Sequence, residues 1–242
     1  MPDRGHWLAG RVAVVTGASQ GIGAATATAI AAAGAHVILA ARKREALEDV
    51  AGRIRQAGGA ATAVPTDVSQ ATDVERLFAA AQGAAGTPTA LVCAAAVLTS
   101  ALFAETTVEM WQQTLGVNLT GSFLCCRAAF TAMRSAGEGR IVNIASLSGV
   151  YATEKFPGLA AYNVSKYGVI GLTEAIAVEG REHGISAICV SPGAVDTEML
   201  RQANPQLRPG LTPADVAELI VALLDSPLAP VSGANIPLFS NA

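Results

Sequence analysis

The sequence predicts an α/β fold in which helices cover both faces of a doubly wound parallel sheet. Short apolar runs of about five to seven residues alternate along the chain with longer helical segments, which is the pattern of consecutive β–α–β units. Hydrophobic residues make up 51% of the chain and charged residues only 14%, as expected where strands are buried on both faces. Because no linker, repeat or low-complexity tract divides the 242 residues, we expect a single domain over residues 1–242.

The strands are predicted from short apolar runs that are bounded by glycine, proline or charged residues. The first run lies between Arg11 and a glycine-rich loop, and Pro65 closes the third. In chain order, the predicted strands are residues 12–15, 36–41, 60–64, 90–94, 140–144 and 185–190, with a last one at 235–239.

The helices are predicted from alanine-rich or amphipathic stretches between these runs, several of which end at glycine. Gly34 follows the first stretch, and Gly58 and Gly59 follow the second. The predicted helices are residues 22–33, 44–56, 73–82, 108–133, 161–181 and 214–224.

Composition argues against several classes of function. A net charge of −3 gives no general attraction to nucleic acid or to an anionic membrane. No apolar run approaches the roughly 20 residues that span a bilayer, and residues 1–10 lack the apolar core of a signal peptide. The four cysteines (Cys93, Cys125, Cys126 and Cys189) lie in apolar surroundings without metal-ligand spacing, which predicts buried thiols and no metal site. We therefore expect a cytoplasmic protein.

A glycine-rich loop follows the first predicted strand and opens the first helix. It contains Gly17, Gly21 and Gly23, with Ser19, Gln20 and Ile22 between them. Glycines allow a tight turn and a close approach of the backbone to a ligand, and a helix N-terminus favours the charge of a pyrophosphate. The spacing is neither Gly-x-Gly-x-x-Gly nor that of a P-loop kinase. The alternative is an ordinary glycine-rich turn.

A second motif is Tyr162-Asn163-Val164-Ser165-Lys166, in which the tyrosine and the lysine are four residues apart on a predicted helix. They share one face, so the ammonium can stabilise a phenolate and lower the tyrosine pKa from about 10. Either motif alone is weak. Together and in this order they give a chain that resembles the short-chain dehydrogenase/reductase family over about residues 10–225, including its 3-oxoacyl carrier-protein reductases. The resemblance implies a Rossmann fold and an oxidoreductase.

The resemblance implies four catalytic residues. Tyr162 would be the general acid, Ser146 would hydrogen-bond the substrate oxygen, and Lys166 would lower the tyrosine pKa and bind the ribose. Asn118 would organise a proton-relay water. The alternatives from the residues alone are that Ser146 is a turn residue and that Asn118 is a solvent-facing helix residue. The implied reaction interconverts a ketone, or a 3-oxoacyl group, and a secondary alcohol.

The resemblance also implies a set of cofactor-binding residues. Asp67 would contact the adenine, for which the alternative is a turn or N-cap aspartate. Where the family usually has Asn-Asn-Ala-Gly, this chain reads Cys93-Ala94-Ala95-Ala96, which removes two side-chain amides and adds a Cβ. Besides Tyr162 and Lys166, the implied cofactor residues are Gly17, Ser19, Gln20, Gly21, Ile22, Gly23, Asp67, Val68, Ala94, Ala95, Pro192, Gly193, Val195 and Thr197.

The end of the second strand predicts which nicotinamide cofactor is used. An NAD-preferring site places a carboxylate there, about 20 residues past the glycine loop. This chain has Ala41 at that position, followed by Arg42 and Lys43, which suit a 2′-phosphate. The alternative is that these cations only begin a solvated helix. We therefore predict NADP(H) as the cofactor.

Three further expectations concern the mouth of the site, the assembly and the rival functions. Residues 198–211 contain Pro205, Pro209 and Gly210 and predict a mobile loop over the substrate. The apolar outer faces of the helices at 108–133 and 161–181 predict a homo-oligomer, tetramer before dimer. The rivals are a nucleotide-sugar epimerase and a non-catalytic nucleotide-binding or scaffolding protein.

Overall fold

A computed structural model describes residues 7–225 and 230–239 of the chain. Within these residues seven strands form one sheet, all parallel, in the order β3-β2-β1-β4-β5-β6-β7. The doubly wound parallel sheet predicted from the sequence is therefore confirmed. The strands are β1 (Val12–Thr16), β2 (His36–Ala41), β3 (Ala60–Pro65), β4 (Ala90–Cys93), β5 (Gly139–Ile144), β6 (Ile185–Pro192) and β7 (Asn235–Leu238).

The helices lie between the strands, as the alternating pattern predicted. They are α1 (Gly21–Ala32), α2 (Arg44–Gln56), α3 (Ala71–Ala85), α4 (Val108–Leu115), α5 (Gly121–Ala136), α6 (Ala160–Gly180), α7 (Glu198–Ala203) and α8 (Pro213–Leu223). The prediction that residues 1–10 lack a signal sequence falls mostly outside the described residues.

Two predicted segments differ from the structure. The single helix predicted at 108–133 is divided, because a π-helical turn at Gly116–Thr120 separates α4 from α5. The stretch at 198–211 is not wholly a loop, since it begins with α7. The Thr197 side chain accepts a hydrogen bond from the Leu200 amide (3.3 Å) and starts this helix despite the prolines that follow.

Alternate residues of each strand enter two apolar layers on opposite faces of the sheet. On one face, residues such as Val15 and Leu39 pack with Ile30 of α1 and with residues of α2 and α8. On the other face, Val14 and its neighbours pack with α3 and α5. Because both faces are buried, the strands consist mainly of apolar residues, which explains the high hydrophobic fraction.

The strand order places a crevice between β1 and β4. β1 pairs with β2 on one side and with β4 on the other, so the direction of winding reverses there. Open parallel sheets bind ligands at the carboxyl ends of such strands. No helix in the described ranges is both long and apolar enough to cross a bilayer.

Candidate functional site

A cleft of about 1340 Å³ opens at the carboxyl ends of the strands. Every residue predicted for the site lines this cleft except Asn118, which is buried. The predicted residues that line it are Gly17, Ser19, Gln20, Gly21, Ile22, Gly23, Arg42, Lys43, Asp67, Val68, Ala94, Ala95, Ser146, Tyr162, Lys166, Pro192, Gly193, Val195 and Thr197.

The glycine-rich loop between β1 and α1 forms one wall of the cleft. Gly17 has a φ of +66°, and a Cβ there would lie 2.7 Å from the carbonyl oxygen of Ala94, so only glycine fits. The first turn of α1 contains no acidic residue, and Gln20, its N-cap, makes no capping hydrogen bond through its side chain. The amide groups at this helix start can therefore bind an anion such as a pyrophosphate.

The end of β2 carries two cations that face the same cleft. Arg42 and Lys43 are exposed, and neither forms an ion pair with any other residue that the structure describes. Ala41, the last residue of β2, brings no carboxylate to this position. The residues present thus fit a phosphate group and leave space where a carboxylate would repel it.

Ser146, Tyr162 and Lys166 converge on the floor of the cleft from two elements. Ser146 follows β5, where its hydroxyl accepts a hydrogen bond from the Ser148 amide (3.1 Å) and begins a short 3₁₀ turn. This turn sits directly on α6, since a Cβ at Gly149 would lie 2.5 Å from the carbonyl carbon of Lys166. The Lys166 ammonium donates to the Ile144 carbonyl (2.8 Å) and lies 5.5 Å from the centre of the Tyr162 ring.

Burial shifts the pKa values of both α6 residues. It lowers the pKa of the Lys166 ammonium to about 8. It raises the pKa of the Tyr162 phenol, although a hydrogen bond with Ser146 offsets part of this effect. In the protein without ligands the pKa of the Tyr162 phenol thus lies above its ordinary value, because desolvation of the phenolate outweighs the hydrogen bond with Ser146, and the lowering expected from Lys166 stays a prediction.

Asn118 lies in the π-helical turn between α4 and α5, with 1% of its surface exposed. Its side-chain amide donates to the Val97 carbonyl (2.9 Å) and to the Ser165 hydroxyl (3.1 Å). Its side-chain oxygen accepts from the Val97 amide (2.8 Å). The solvent-facing alternative is thus wrong, and the side chain connects the segment after β4 to α6.

Comparison with known proteins identifies the family. A family model described as short chain dehydrogenase matches residues 11–208, which is most of the chain. The chain belongs to the short-chain dehydrogenase/reductase family. It is therefore an oxidoreductase acting on CH–OH and C=O groups, and the non-catalytic alternative is wrong.

Two curated relatives of this short-chain dehydrogenase/reductase illustrate its range of similarity. An uncharacterized oxidoreductase from Staphylococcus aureus is 34% identical over 220 residues, covering 91% of this chain and 93% of that protein. Glycine betaine reductase ATRR from Emericella nidulans is 36% identical over 230 residues. That match covers 91% of this chain but only 18% of the longer protein.

Solved structures of the family match nearly the whole chain. A short-chain type dehydrogenase/reductase from Mycobacterium marinum is 32% identical with a TM-score of 0.92, covering 96% of this chain and 95% of that one. A protein from Beutenbergia cavernae with bound NADP at low occupancy is 32% identical with a TM-score of 0.89, covering 96% of both chains. An actinorhodin polyketide ketoreductase with NADPH is 30% identical with a TM-score of 0.88, covering 95% of this chain and 96% of that one.

The unusual segment after β4 of this short-chain dehydrogenase/reductase is braced by Thr16, a residue that the sequence reasoning missed. The buried Thr16 hydroxyl accepts hydrogen bonds from the amides of Ala94 (3.1 Å) and Ala95 (3.2 Å). The Cys93 thiol packs 3.9 Å from that of Cys126. The signal for Thr16 was its position directly before Gly17, where β1 ends beside β4.

Two predicted cofactor residues of this enzyme also bond within the protein. The Asp67 carboxylate accepts from the amide (3.0 Å) and the hydroxyl (2.7 Å) of Ser69, so it is a turn aspartate that also lines the cleft. The Thr197 hydroxyl caps α7 and donates to the Val195 carbonyl (3.3 Å). The four cysteines are buried and free, as predicted, and no cluster of metal ligands occurs in the described part of the chain.

Proposed function

We propose that this protein interconverts a ketone, or a 3-oxoacyl group, and a secondary alcohol with NADP(H), using Tyr162 as general acid and base. The proposal rests on the arrangement of the residues at the floor of the cleft. There Ser146, Tyr162 and Lys166 come together between the glycine-rich loop and a mouth large enough for a carbonyl compound.

The proposed roles follow from the groups on this floor. A bound nicotinamide cofactor would supply the hydride for reduction. Tyr162, which like any phenol is protonated at neutral pH, would donate its proton to the substrate oxygen, which Ser146 would hold by a hydrogen bond. Lys166 would bind the ribose hydroxyls, and its ammonium would favour the phenolate that remains after proton transfer.

Asn118 has a positioning role in this proposal. The two amide hydrogens of its side chain are donated to Val97 and Ser165, and its side-chain oxygen already accepts from Val97. Because both amide hydrogens are in use, a proton-relay water would donate a hydrogen bond to an oxygen of Asn118. The main-chain oxygen of Asn118 also accepts from the Ser122 hydroxyl (2.7 Å).

The preference for NADP(H) is supported by the end of β2. Arg42 and Lys43 would hold the 2′-phosphate, and Ala41 would leave room for it. The first turn of α1 would hold the pyrophosphate. Two similar structures, from the actinorhodin system and from Beutenbergia cavernae, are described with NADPH or NADP, which agrees with this preference.

The experiment that tests the proposal is an assay of cofactor oxidation. The protein is mixed with NADPH and a panel of ketones and 3-oxoacyl thioesters, and absorbance of the reduced nicotinamide is followed. We expect consumption that depends on the carbonyl compound and is slower with NADH. A protein that binds NADPH but reduces no member of the panel would contradict the proposal.

A further inference from the structure

The part of the cleft beyond Tyr162 differs in character from the part beside Arg42 and Lys43. Its lining comes from the segments after β4 and β5 and from the α7 region, and it includes apolar side chains as well as charged ones. The apolar side chains that face it include Leu98, Leu147, Phe156, Met199 and Leu207. A carboxylate placed against such a surface loses hydration and must find a cation in return.

The cation of the α7 wall is already neutralised. The Arg201 guanidinium pairs with the carboxylates of Asp196 (2.5 Å) and Glu198 (3.4 Å). All three residues line the cleft, so this group contributes a net charge of −1. The other carboxylate oxygen of Glu198 accepts from the Gln202 side chain (2.9 Å), which fixes the group further.

The cation of the segment after β5 is Lys155, which is held by polar groups of the same segment. The Lys155 ammonium donates to the Val150 carbonyl (2.7 Å) and to the Thr153 hydroxyl (2.6 Å), and it lies 5.3 Å from the centre of the Tyr167 ring. Lys155 is not among the lining residues, whereas its neighbour Glu154 is. Glu154 forms no ion pair with any described residue, so no direct contact neutralises its charge at the cleft.

We propose that this half of the cleft selects neutral or cationic carbonyl substrates against those bearing a carboxylate or a phosphate, with Glu154 as a specificity-determining residue. The inference rests on the proposed reductase function. Glu154 and the Arg201 group together carry a charge of −2, which the Lys166 ammonium at the floor reduces to −1, so an anionic substrate would meet a net negative charge beside apolar side chains. The remaining cation, Lys166, donates to the Ile144 carbonyl at the floor.

The test compares two substrates that differ in charge. Methyl 4-acetylbenzoate is neutral and 4-acetylbenzoate is anionic, and both are offered with NADPH at low ionic strength. We expect kcat/KM to favour the ester. Removing one charge by Glu154→Gln should reduce this preference by about two- to fivefold, as for an exposed charge pair. Added salt should reduce it in the wild type as well.

The matched control is Glu75→Gln, which removes a carboxylate from the exposed face of α3, away from the cleft. It should leave the preference unchanged. An acid reduced as efficiently as its ester, or a preference that neither Glu154→Gln nor salt alters, overturns the inference.

Binding measurements distinguish a failure of this inference from a failure of the proposed function. If no ketone or 3-oxoacyl thioester of the panel is reduced, the reductase proposal fails by itself. Dissociation constants of the ester and the acid, measured by calorimetry on the protein saturated with NADPH, then test charge selection without turnover. Tighter binding of the ester supports the inference, and equal or tighter binding of the acid overturns it.

Discussion

Tyr162 is the residue on which the proposed chemistry most depends. Replacing it by phenylalanine removes the proton donor and leaves the shape of the floor unchanged. We expect Tyr162→Phe to lose at least about a hundredfold in kcat, the usual contribution of a general acid, while NADPH still binds. The control is Tyr167→Phe, which alters an exposed tyrosine on the same helix. Near-normal turnover of Tyr162→Phe would contradict the proposed mechanism.

Arg42 and Ala41 are the residues that should decide the cofactor. We expect the wild type to prefer NADP(H) by about 1.5–3 kcal/mol if Arg42 makes charge-assisted bonds to the phosphate. Ala41→Asp combined with Arg42→Ala should reverse the preference in kcat/KM. Arg44→Ala, an exposed neighbour that does not line the cleft, should not change it. Equal efficiency with both cofactors in the wild type would show the prediction to be wrong.

Lys166 should make the stability of the ligand-free protein depend on pH. Its pKa is about 8 in the folded state and about 10.5 when unfolded, so between these values the unfolded state binds more protons. At pH 7 the folded protein therefore bears the full free-energy cost of burying the Lys166 ammonium. This cost falls as the pH rises above 8, because the buried amine loses its proton. Between pH 7 and 9.5 the wild type should gain about 2 kcal/mol relative to Lys166→Met.

The measurement for Lys166 is urea unfolding of both proteins at the two pH values. The variant is the reference because the buried thiols of Cys93 and Cys189, whose pKa values are raised, lower stability over the same range in both proteins. The raised pKa of Tyr162 acts only near pH 10 and above. Parallel pH dependence in the two proteins would refute the expected shift.

At the scale of elements, Thr16 links β1 to the segment after β4. Thr16→Val keeps the shape of the side chain but leaves the amides of Ala94 and Ala95 without their acceptor. We expect a loss of about 1–3 kcal/mol in unfolding free energy and weaker NADPH binding, because this segment contacts the glycine-rich loop. Thr16→Ser retains the hydroxyl and should restore most of both. Wild-type stability in Thr16→Val would argue against this bracing role.

Two features of the helices could not be predicted from the sequence. The mid-helix asparagine at 118 indicated a special position, but not the π-helical turn that turns its side chain towards Val97 and Ser165. Those partners lie 21 and 47 residues away along the chain. Likewise, the prolines at 205 and 209 favoured the prediction of a loop where the structure has α7. The start of this helix depends on the Thr197 hydroxyl, which accepts a hydrogen bond from the Leu200 amide.

At the scale of the whole molecule, the proposed assembly is a homotetramer. The long helices α5 and α6 carry exposed apolar side chains, including Phe123 and Val178. We expect light scattering at micromolar concentration to give a mass of four chains. Val178→Asp should reduce it, while Leu102→Asp, outside both helices, should not. A monomer in the wild type would exclude this assembly.

The sequence by itself determined the sheet, the family and the residues that meet in the cleft. These depend on local patterns: apolar runs for strands, glycines that allow close approach, and a tyrosine and lysine one helical turn apart. Only the tertiary structure decided the surroundings of those residues. The raised pKa of Tyr162 and the hydrogen bonds of Asn118 depend on burial and on partners from other elements. Local sequence patterns do not predict contacts between residues that are far apart along the chain. These contacts set the energy of each charged or polar group.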